Sequence, residues 1–145
     1  MTQEEHFENL IKMYSRASIN DFYNPSLKVK EGEAEIIIDV SEKYFHSGGA
    51  IHGSVYFKML DDVAFFAATT LERDVFVLTT SFTTYFLRPV SQGTLRSVGK
   101  VVNVTKTQFL VEAVAYDYKD REVARGSGVF VKSRLPLSEV DHYTL

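Results

Sequence analysis

The feature that most limits how this chain can fold is an apolar segment of helical period in its middle, Ser54 to Leu71. At about 100° per residue, its apolar side chains cover well over half of the helix circumference. One narrow sector is polar and holds Lys58, Asp62 and Thr69. A helix that is apolar over so much of its surface is buried in protein. We therefore expect a sheet to wrap around it.

Segments with strand character stand on both sides of this helix. They are Leu27–Lys30, Ala34–Val40, Val75–Leu87, Thr94–Val104, Phe109–Tyr118 and Val123–Lys132. The later ones run to about ten residues, longer than the usual five or six, which predicts one extended antiparallel sheet. Near the N-terminus, residues 4–19 show an amphipathic pattern that predicts a further helix, broken at Asn20–Pro25. The predicted fold class is α+β, ending in a partly ordered tail over residues 133–145.

Composition excludes several classes of protein. The chain has 145 residues, of which 45% are hydrophobic, so one domain over residues 1–145 is expected. The formal net charge of -3 provides no basic field for nucleic acid. Cysteine is absent, which removes disulfides, thiolate nucleophiles and cysteine-bound metals. Because the apolar stretch carries Lys58, Asp61 and Asp62, no membrane span is expected, and a cytoplasmic location is the default expectation.

A glycine-rich loop, His46 to Gly53, ends where the apolar helix begins. The first N–H groups of a helix have no intrahelical acceptor, so they are free donors. Without a side chain at Gly53, an acyl oxygen could approach its amide, and the helix dipole would favour charge developing on that oxygen. The glycines are equally consistent with a tight turn and nothing more.

Asp61 lies eight residues beyond Gly53, at the border of the apolar sector beside small alanines. A straight helix separates their backbones by about 12 Å at 1.5 Å per residue. One carboxylate cannot span that gap. If both groups act on the same carbonyl, they must come from two protomers whose helices run antiparallel across a two-fold axis. The alternative is an ordinary aspartate on the helix surface.

Other polar and aromatic positions have both functional and structural interpretations. His46 and His52 lack partners at metal-ligand spacing, so no metal site is predicted, and His52 could simply bond loop backbone. Alternation places Thr79, Ser81 and Thr83 on one side of a strand, where threonine is also a good strand former. The remaining candidates are Arg88, which could meet a phosphate, and aromatic residues including Phe65, which could line a tunnel or fill the core.

Four features of the chain occur together in one known family. They are the run His52-Gly53-Ser54, the pair Leu60-Asp61 later in the helix, the run Phe86-Leu87-Arg88-Pro89, and the order of a helix followed by long strands. In these features the chain resembles the hotdog-fold acyl-CoA thioesterases, most closely the phenylacetate-pathway type. The resemblance implies a long antiparallel sheet wrapped around a central helix, with a hotdog core over residues 27–132 and the N-terminal helix as an addition. It implies a homodimer, or a dimer of dimers, with acyl-CoA bound at the interface.

By position, the resemblance assigns the oxyanion amide to Gly53 and the general base or nucleophile to Asp61 of the partner chain. Thr79 matches a hydroxyl that holds the attacking water, and His46 stands where the family usually has Asn. The implied substrate contacts come from His52 and Arg88, and Ser54, which replaces a family glycine, would add a capping hydroxyl.

We therefore expect an acyl-CoA thioesterase that uses no metal or redox cofactor. Two alternatives stay open on the same scaffold. One is a module that binds or senses acyl-CoA without hydrolysing it, and the other is an enoyl-CoA hydratase or dehydratase.

Overall fold

An antiparallel sheet curves around one long helix in residues 1–144, the part of the chain that the computed structural model describes. The strands are β1 (Ser26–Lys30), β2 (Glu33–Asp39), β3 (Val75–Phe86), β4 (Thr94–Val104), β5 (Gln108–Tyr116) and β6 (Glu122–Pro136). Their order across the sheet is β1-β2-β4-β5-β6-β3. The helices are α1 (Gln3–Arg16), α2 (Asn20–Tyr23) and α3 (Gly53–Thr69). The predicted hotdog architecture with an added N-terminal helix is confirmed.

The central helix α3 is buried against the inner face of the sheet, as its apolar surface predicts. Its closest approach is to β4, where a Cβ built on Gly99 would stand 2.7 Å from the Val63 carbonyl oxygen. Only glycine lets helix and strand pack this closely. The structure corrects the predicted polar and apolar sectors of this helix in two places. Thr69, which was placed in the polar sector, is fully buried, and its hydroxyl donates to the Phe65 carbonyl oxygen. Phe57 and Leu71, which are among the apolar side chains, are exposed.

The N-terminal helix begins and ends differently from the prediction. Thr2 and Glu5 form a reciprocal capping box, so α1 starts at Gln3. The helix stops at Arg16 rather than residue 19, because Ala17 has an extended backbone. The predicted break at Asn20 is instead the first residue of the short helix α2.

The edge strand β3 contains a bulge that the alternation rule missed. Its register against β6 shifts between Thr79 and Ser81. The extra residue reverses the alternation, so Thr79 faces α3 together with Phe82. Ser81 and Thr83 are exposed, and the prediction that they share a side with Thr79 was wrong.

The C-terminal segment is not the partly ordered tail that was expected. Strand β6 continues to Pro136, which pairs with Val75, and a 3-10 turn follows at Leu137–Glu139. Leu137 and Tyr143 are almost fully buried, so the segment covers part of the core. Only residue 145 of the predicted tail lies outside the described residues.

No helix within residues 1–144 combines the length and apolar character that a membrane crossing requires.

Candidate active site

Asp61 and Thr79 meet where α3 passes the edge strand. The Thr79 hydroxyl donates to Asp61 Oδ1 at 2.8 Å. Partial burial raises the pKa of the Asp61 carboxyl above its usual value, while the Thr79 hydrogen bond lowers it and offsets part of that rise. A carboxylate that is partly desolvated and oriented by a hydroxyl is a suitable base or nucleophile.

The start of α3 leaves one backbone donor free among the described residues. His52 caps the helix: its Nδ1 accepts from the Ser54 N–H at 3.0 Å, and its carbonyl oxygen accepts from the Val55 N–H at 2.9 Å. The intervening Gly53 N–H has no protein acceptor in residues 1–144. A Cβ at Gly53 would stand 3.3 Å from the Phe86 ring, so the glycine also keeps this approach open.

The side chain that caps α3 is not the one that the sequence predicts. The cap is the His52 imidazole rather than the Ser54 hydroxyl. The Ser54 hydroxyl lies 2.8 Å from His52 Nδ1, and both side chains are exposed beside Gly53. The local hydrogen bonds therefore account for their orientation and leave the rest of each side chain accessible.

A cavity of about 320 Å³ lies at the Gly53 end of α3 and is called the Gly53 cavity below. Its lining includes Gly53, His46, Phe86 and Arg88. The Gly48 N–H donates to His46 Nδ1 at 2.9 Å, which places the proton of a neutral His46 on Nε2. The Arg88 side chain is exposed, while its carbonyl oxygen accepts from Tyr56 at 2.7 Å.

A larger cavity of about 650 Å³ lies between α1, α3 and the C-terminal segment, and is called the α1–α3 cavity below. Asp61 lies in its wall, and Phe65 is among its aromatic residues, packed on Phe66 and Phe76. The predicted site residues thus fall into two groups within one protomer. Asp61, Thr79 and Phe65 are at one place, and the remaining five are at the other.

Sequence reasoning missed a polar network beside Asp61. In the polar sector of α3, Asp62 Oδ2 accepts from Lys58 Nζ at 2.5 Å and from the Tyr14 hydroxyl at 2.7 Å. Only 12% of the Lys58 side chain is exposed, because α1 covers this sector. The spacing of Lys58 and Asp62 signals the pair, but nothing in it signals that Tyr14 covers it.

No group of three or more histidine, aspartate or glutamate side chains within residues 1–144 is arranged to hold a metal ion. The predicted site residues at these two places supply the Asp61 carboxylate, the Thr79 and Ser54 hydroxyls, two histidines, an arginine and a free backbone amide.

The six-stranded sheet, the wrapped helix and the glycine loop at the helix start define a hotdog-fold protein. The thioesterase superfamily profile matches residues 48–124, just over half of the chain, and the chain belongs to that superfamily.

Two proteins and one solved structure are similar to this chain. A Thermoplasma volcanium protein named "Putative esterase" is 28% identical over 102 residues, covering 70% of this chain and 77% of that protein. A Saccharolobus solfataricus protein of the same name is 25% identical over 142 residues, 91% and 95% of the two chains. The PaaI protein from the phenylacetic acid degradation operon of E. coli has a TM-score of 0.84 at 18% identity, covering 94% and 99%. This last similarity shows the shared fold.

Proposed function

We propose that this protein hydrolyses acyl-CoA thioesters to a carboxylic acid and free CoA, in two sites that are each shared by two protomers. The observation that carries the proposal is the pairing of Asp61 with Thr79 in the middle part of the edge strand, while the free Gly53 amide lies beside Phe86 at the end of that strand. Membership of the thioesterase superfamily supports thioester hydrolysis as the reaction.

The chemistry needs both groups at one carbonyl. Asp61 either deprotonates a water held by Thr79, which adds to the carbonyl carbon and expels the CoA thiolate, or attacks that carbon itself. In the second case the CoA thiolate leaves and water then hydrolyses the acyl–Asp61 anhydride to the free acid. The Gly53 N–H donates to the oxygen as negative charge develops on it, and one such donor is worth roughly 3 to 4 kcal/mol of transition-state stabilisation. In the shared site, His46 of the Gly53 cavity would help position the water.

Distance argues for two protomers. Eight residues of straight helix put the Gly53 and Asp61 backbones about 12 Å apart, so they cannot reach one carbonyl from the same chain. Strand β3 is an edge strand with exposed apolar side chains at Leu78, Tyr85 and Phe86, the kind of edge that invites pairing.

Pairing of β3 with the same strand of a second copy would join the two groups. An antiparallel register centred on Thr83 pairs Phe82 with the partner's Thr84, and the bulge at Thr80 then sets Thr79 of one protomer opposite Phe86 of the other. Both side chains face the helix layer, since Thr79 bonds to Asp61 and Phe86 packs on Tyr56 and covers Gly53. Asp61 of one chain then faces Gly53 of its partner. The exposed Arg88 two residues further on suits the pantetheine or a phosphate of CoA.

A complementation experiment tests the shared site. Asp61→Asn removes the base, and Gly53→Pro removes the N–H while keeping a residue that fits the first helical position, because His52 already has the extended backbone that precedes proline. We expect each homodimer to lose at least about two orders of magnitude in kcat and to stay dimeric. A heterodimer of the two, purified through two different tags, should recover about half of the wild-type turnover, because one of its two sites is intact. Turnover is followed as free thiol released from a panel of short, long and aromatic acyl-CoAs.

Gly53→Ala is the matched control, because it places a Cβ against Phe86 as proline does but keeps the N–H. It should retain far more activity than Gly53→Pro. An inactive heterodimer would overturn the shared site, and unchanged turnover in Asp61→Asn would remove Asp61 from the mechanism. Binding of acyl-CoA without thiol release by the wild-type protein would indicate a binding module, and hydration of an enoyl-CoA would indicate a hydratase.

A further inference from the structure

The α1–α3 cavity has the size of a ligand site and adjoins the proposed base. Its volume of about 650 Å³ lies within the usual range of small-molecule pockets. Asp61 is part of its wall, whereas the Gly53 cavity is half as large and carries an exposed arginine. A thioester held between the two groups therefore has a large space on the side of the protomer that supplies Asp61.

Apolar side chains form about half of the wall of this cavity. Met13, Phe66, Phe76, Leu135 and Val140 contribute from α1, α3, β3 and the C-terminal segment. Buried apolar surface favours an apolar ligand, at about 25 cal/mol per Å² removed from water.

The charges in the wall select against an anionic ligand. Four carboxylates line the cavity, against two permanent cations; they are Asp61, Asp62, Glu139 and Asp141, with Arg16 and Lys58. Lys58 is already engaged by Asp62 and lies over the Tyr14 and Tyr23 rings, so it offers no free charge to a ligand. An acyl group that ends in a carboxylate would face a net negative wall.

The C-terminal part of the wall is anchored by a contact that we call the terminal clasp, formed by His6, Thr69 and Tyr143. His6 Nε2 lies 2.7 Å from the Thr69 carbonyl oxygen, which can only accept, so Nε2 carries the proton. His6 Nδ1 then accepts from the Tyr143 hydroxyl at 2.5 Å. Both side chains are buried, and the clasp joins α1, the end of α3 and the segment that carries Leu135 and Val140.

We propose that the α1–α3 cavity is the acyl-binding cavity, that it takes uncharged apolar acyl groups, and that Leu135 and Val140 limit their length. The proposal rests on the proposed function. The acyl group and the CoA portion of one substrate then lie on different protomers, the acyl group with the chain that supplies Asp61 and the CoA with the chain that supplies Gly53.

The test fills the cavity from two independent sides. Val140→Phe adds volume from the C-terminal segment, and Ala17→Phe adds volume from the end of α1. Ser138→Phe is the matched control, because Ser138 is exposed, lies in the same segment and is not part of the lining. Hydrolysis of straight-chain acyl-CoAs from two to sixteen carbons is measured for each variant.

Both filled variants should lose at least about tenfold in kcat/KM on the longest acyl-CoAs that the wild-type protein hydrolyses, and stay within about twofold on the shortest. Ser138→Phe should keep the wild-type length profile. Leu135→Ala enlarges the cavity and should shift the preferred acyl length toward longer chains. This variant keeps the test available if a filled variant does not fold. If none of the folded cavity variants changes the dependence of kcat/KM on acyl length, the proposal is overturned.

Failure of the proposed function has a different signature. If no acyl-CoA releases thiol, the same variants are titrated calorimetrically with non-hydrolysable acyl-CoA thioethers of increasing length. Loss of affinity for long thioethers in the filled variants, but not in Ser138→Phe, would still support the acyl cavity. The absence of any length dependence in wild-type binding would overturn it.

Discussion

At the residue scale, the protonation of Asp61 decides when the proposed site can work. Burial raises the pKa of its carboxyl, and the Thr79 hydrogen bond lowers it. The carboxylate is the active form of a base or nucleophile, so turnover falls as the pH drops through this pKa. The geometry of Thr79 therefore affects the pH profile as well as the position of the water.

Replacing Thr79 with valine should move the acidic limb of kcat to higher pH, because the Asp61 carboxylate loses a hydrogen bond that favours its charged form. The measurement is a pH profile of thiol release. Thr80→Val is the control, since the Thr80 hydroxyl donates to the Val129 carbonyl oxygen at 3.2 Å instead of to Asp61. An acidic limb that stays in place in Thr79→Val would contradict the role assigned to this hydrogen bond.

At the scale of elements, the close contact between α3 and β4 fixes the distance of the central helix from the sheet. Three alternate residues of β4, Leu95, Ser97 and Gly99, face the helix and are buried. At Gly99 the helix backbone is too close for any side chain. The Ser97 hydroxyl is buried without a hydrogen-bond partner among the described residues.

Gly99→Ala should destabilise the fold by about 2 kcal/mol or more, because its methyl group would overlap the Val63 carbonyl oxygen and push α3 away from β4. Ser97→Ala, on the same face of the same strand, should change stability by less than about 0.5 kcal/mol or increase it, because it removes an unsatisfied hydroxyl. Urea unfolding of both variants measures the difference. Equal losses in the two variants would show that the close approach at Gly99 is not the critical contact.

At the scale of the whole molecule, the terminal clasp links stability to pH. Burial lowers the pKa of His6 below its ordinary value of 6.5. When the pH is below 6.5, His6 is largely protonated in the unfolded chain but binds the proton less readily in the folded chain. The folded state is therefore favoured above pH 6.5 and loses stability as the pH falls toward the lowered pKa.

Thermal midpoints should consequently fall between pH 7 and pH 5, and His6→Gln should flatten that dependence while lowering the midpoint at pH 7. The slope that one proton can contribute is about 1.4 kcal/mol per pH unit. His46→Gln is the control, because it removes an exposed histidine that lies outside the terminal clasp. If His6→Gln keeps the wild-type slope, the acid sensitivity has another source.

Much of the architecture follows from local pattern. The apolar surface of α3 requires a surrounding sheet, and β4 runs over the predicted residues. The spacing of Gly53 and Asp61 already excludes their meeting within one chain, so a site that uses both needs a second protomer, and this stays a prediction. Each of these conclusions depends on periodicity or helix rise, and both are properties of neighbouring residues.

The tertiary structure alone decided which distant elements cover which surfaces. Alternation cannot reveal the bulge at Thr80 that turns Thr79 toward Asp61, and an i,i+4 pair such as Lys58 and Asp62 has the same sequence pattern whether water or α1 lies over it. Likewise, a polar C-terminal segment does not reveal that Tyr143 will find a buried histidine 137 residues away. The physical reason is that a pattern reports the polarity of a face, whereas its burial depends on contacts between residues far apart in the chain.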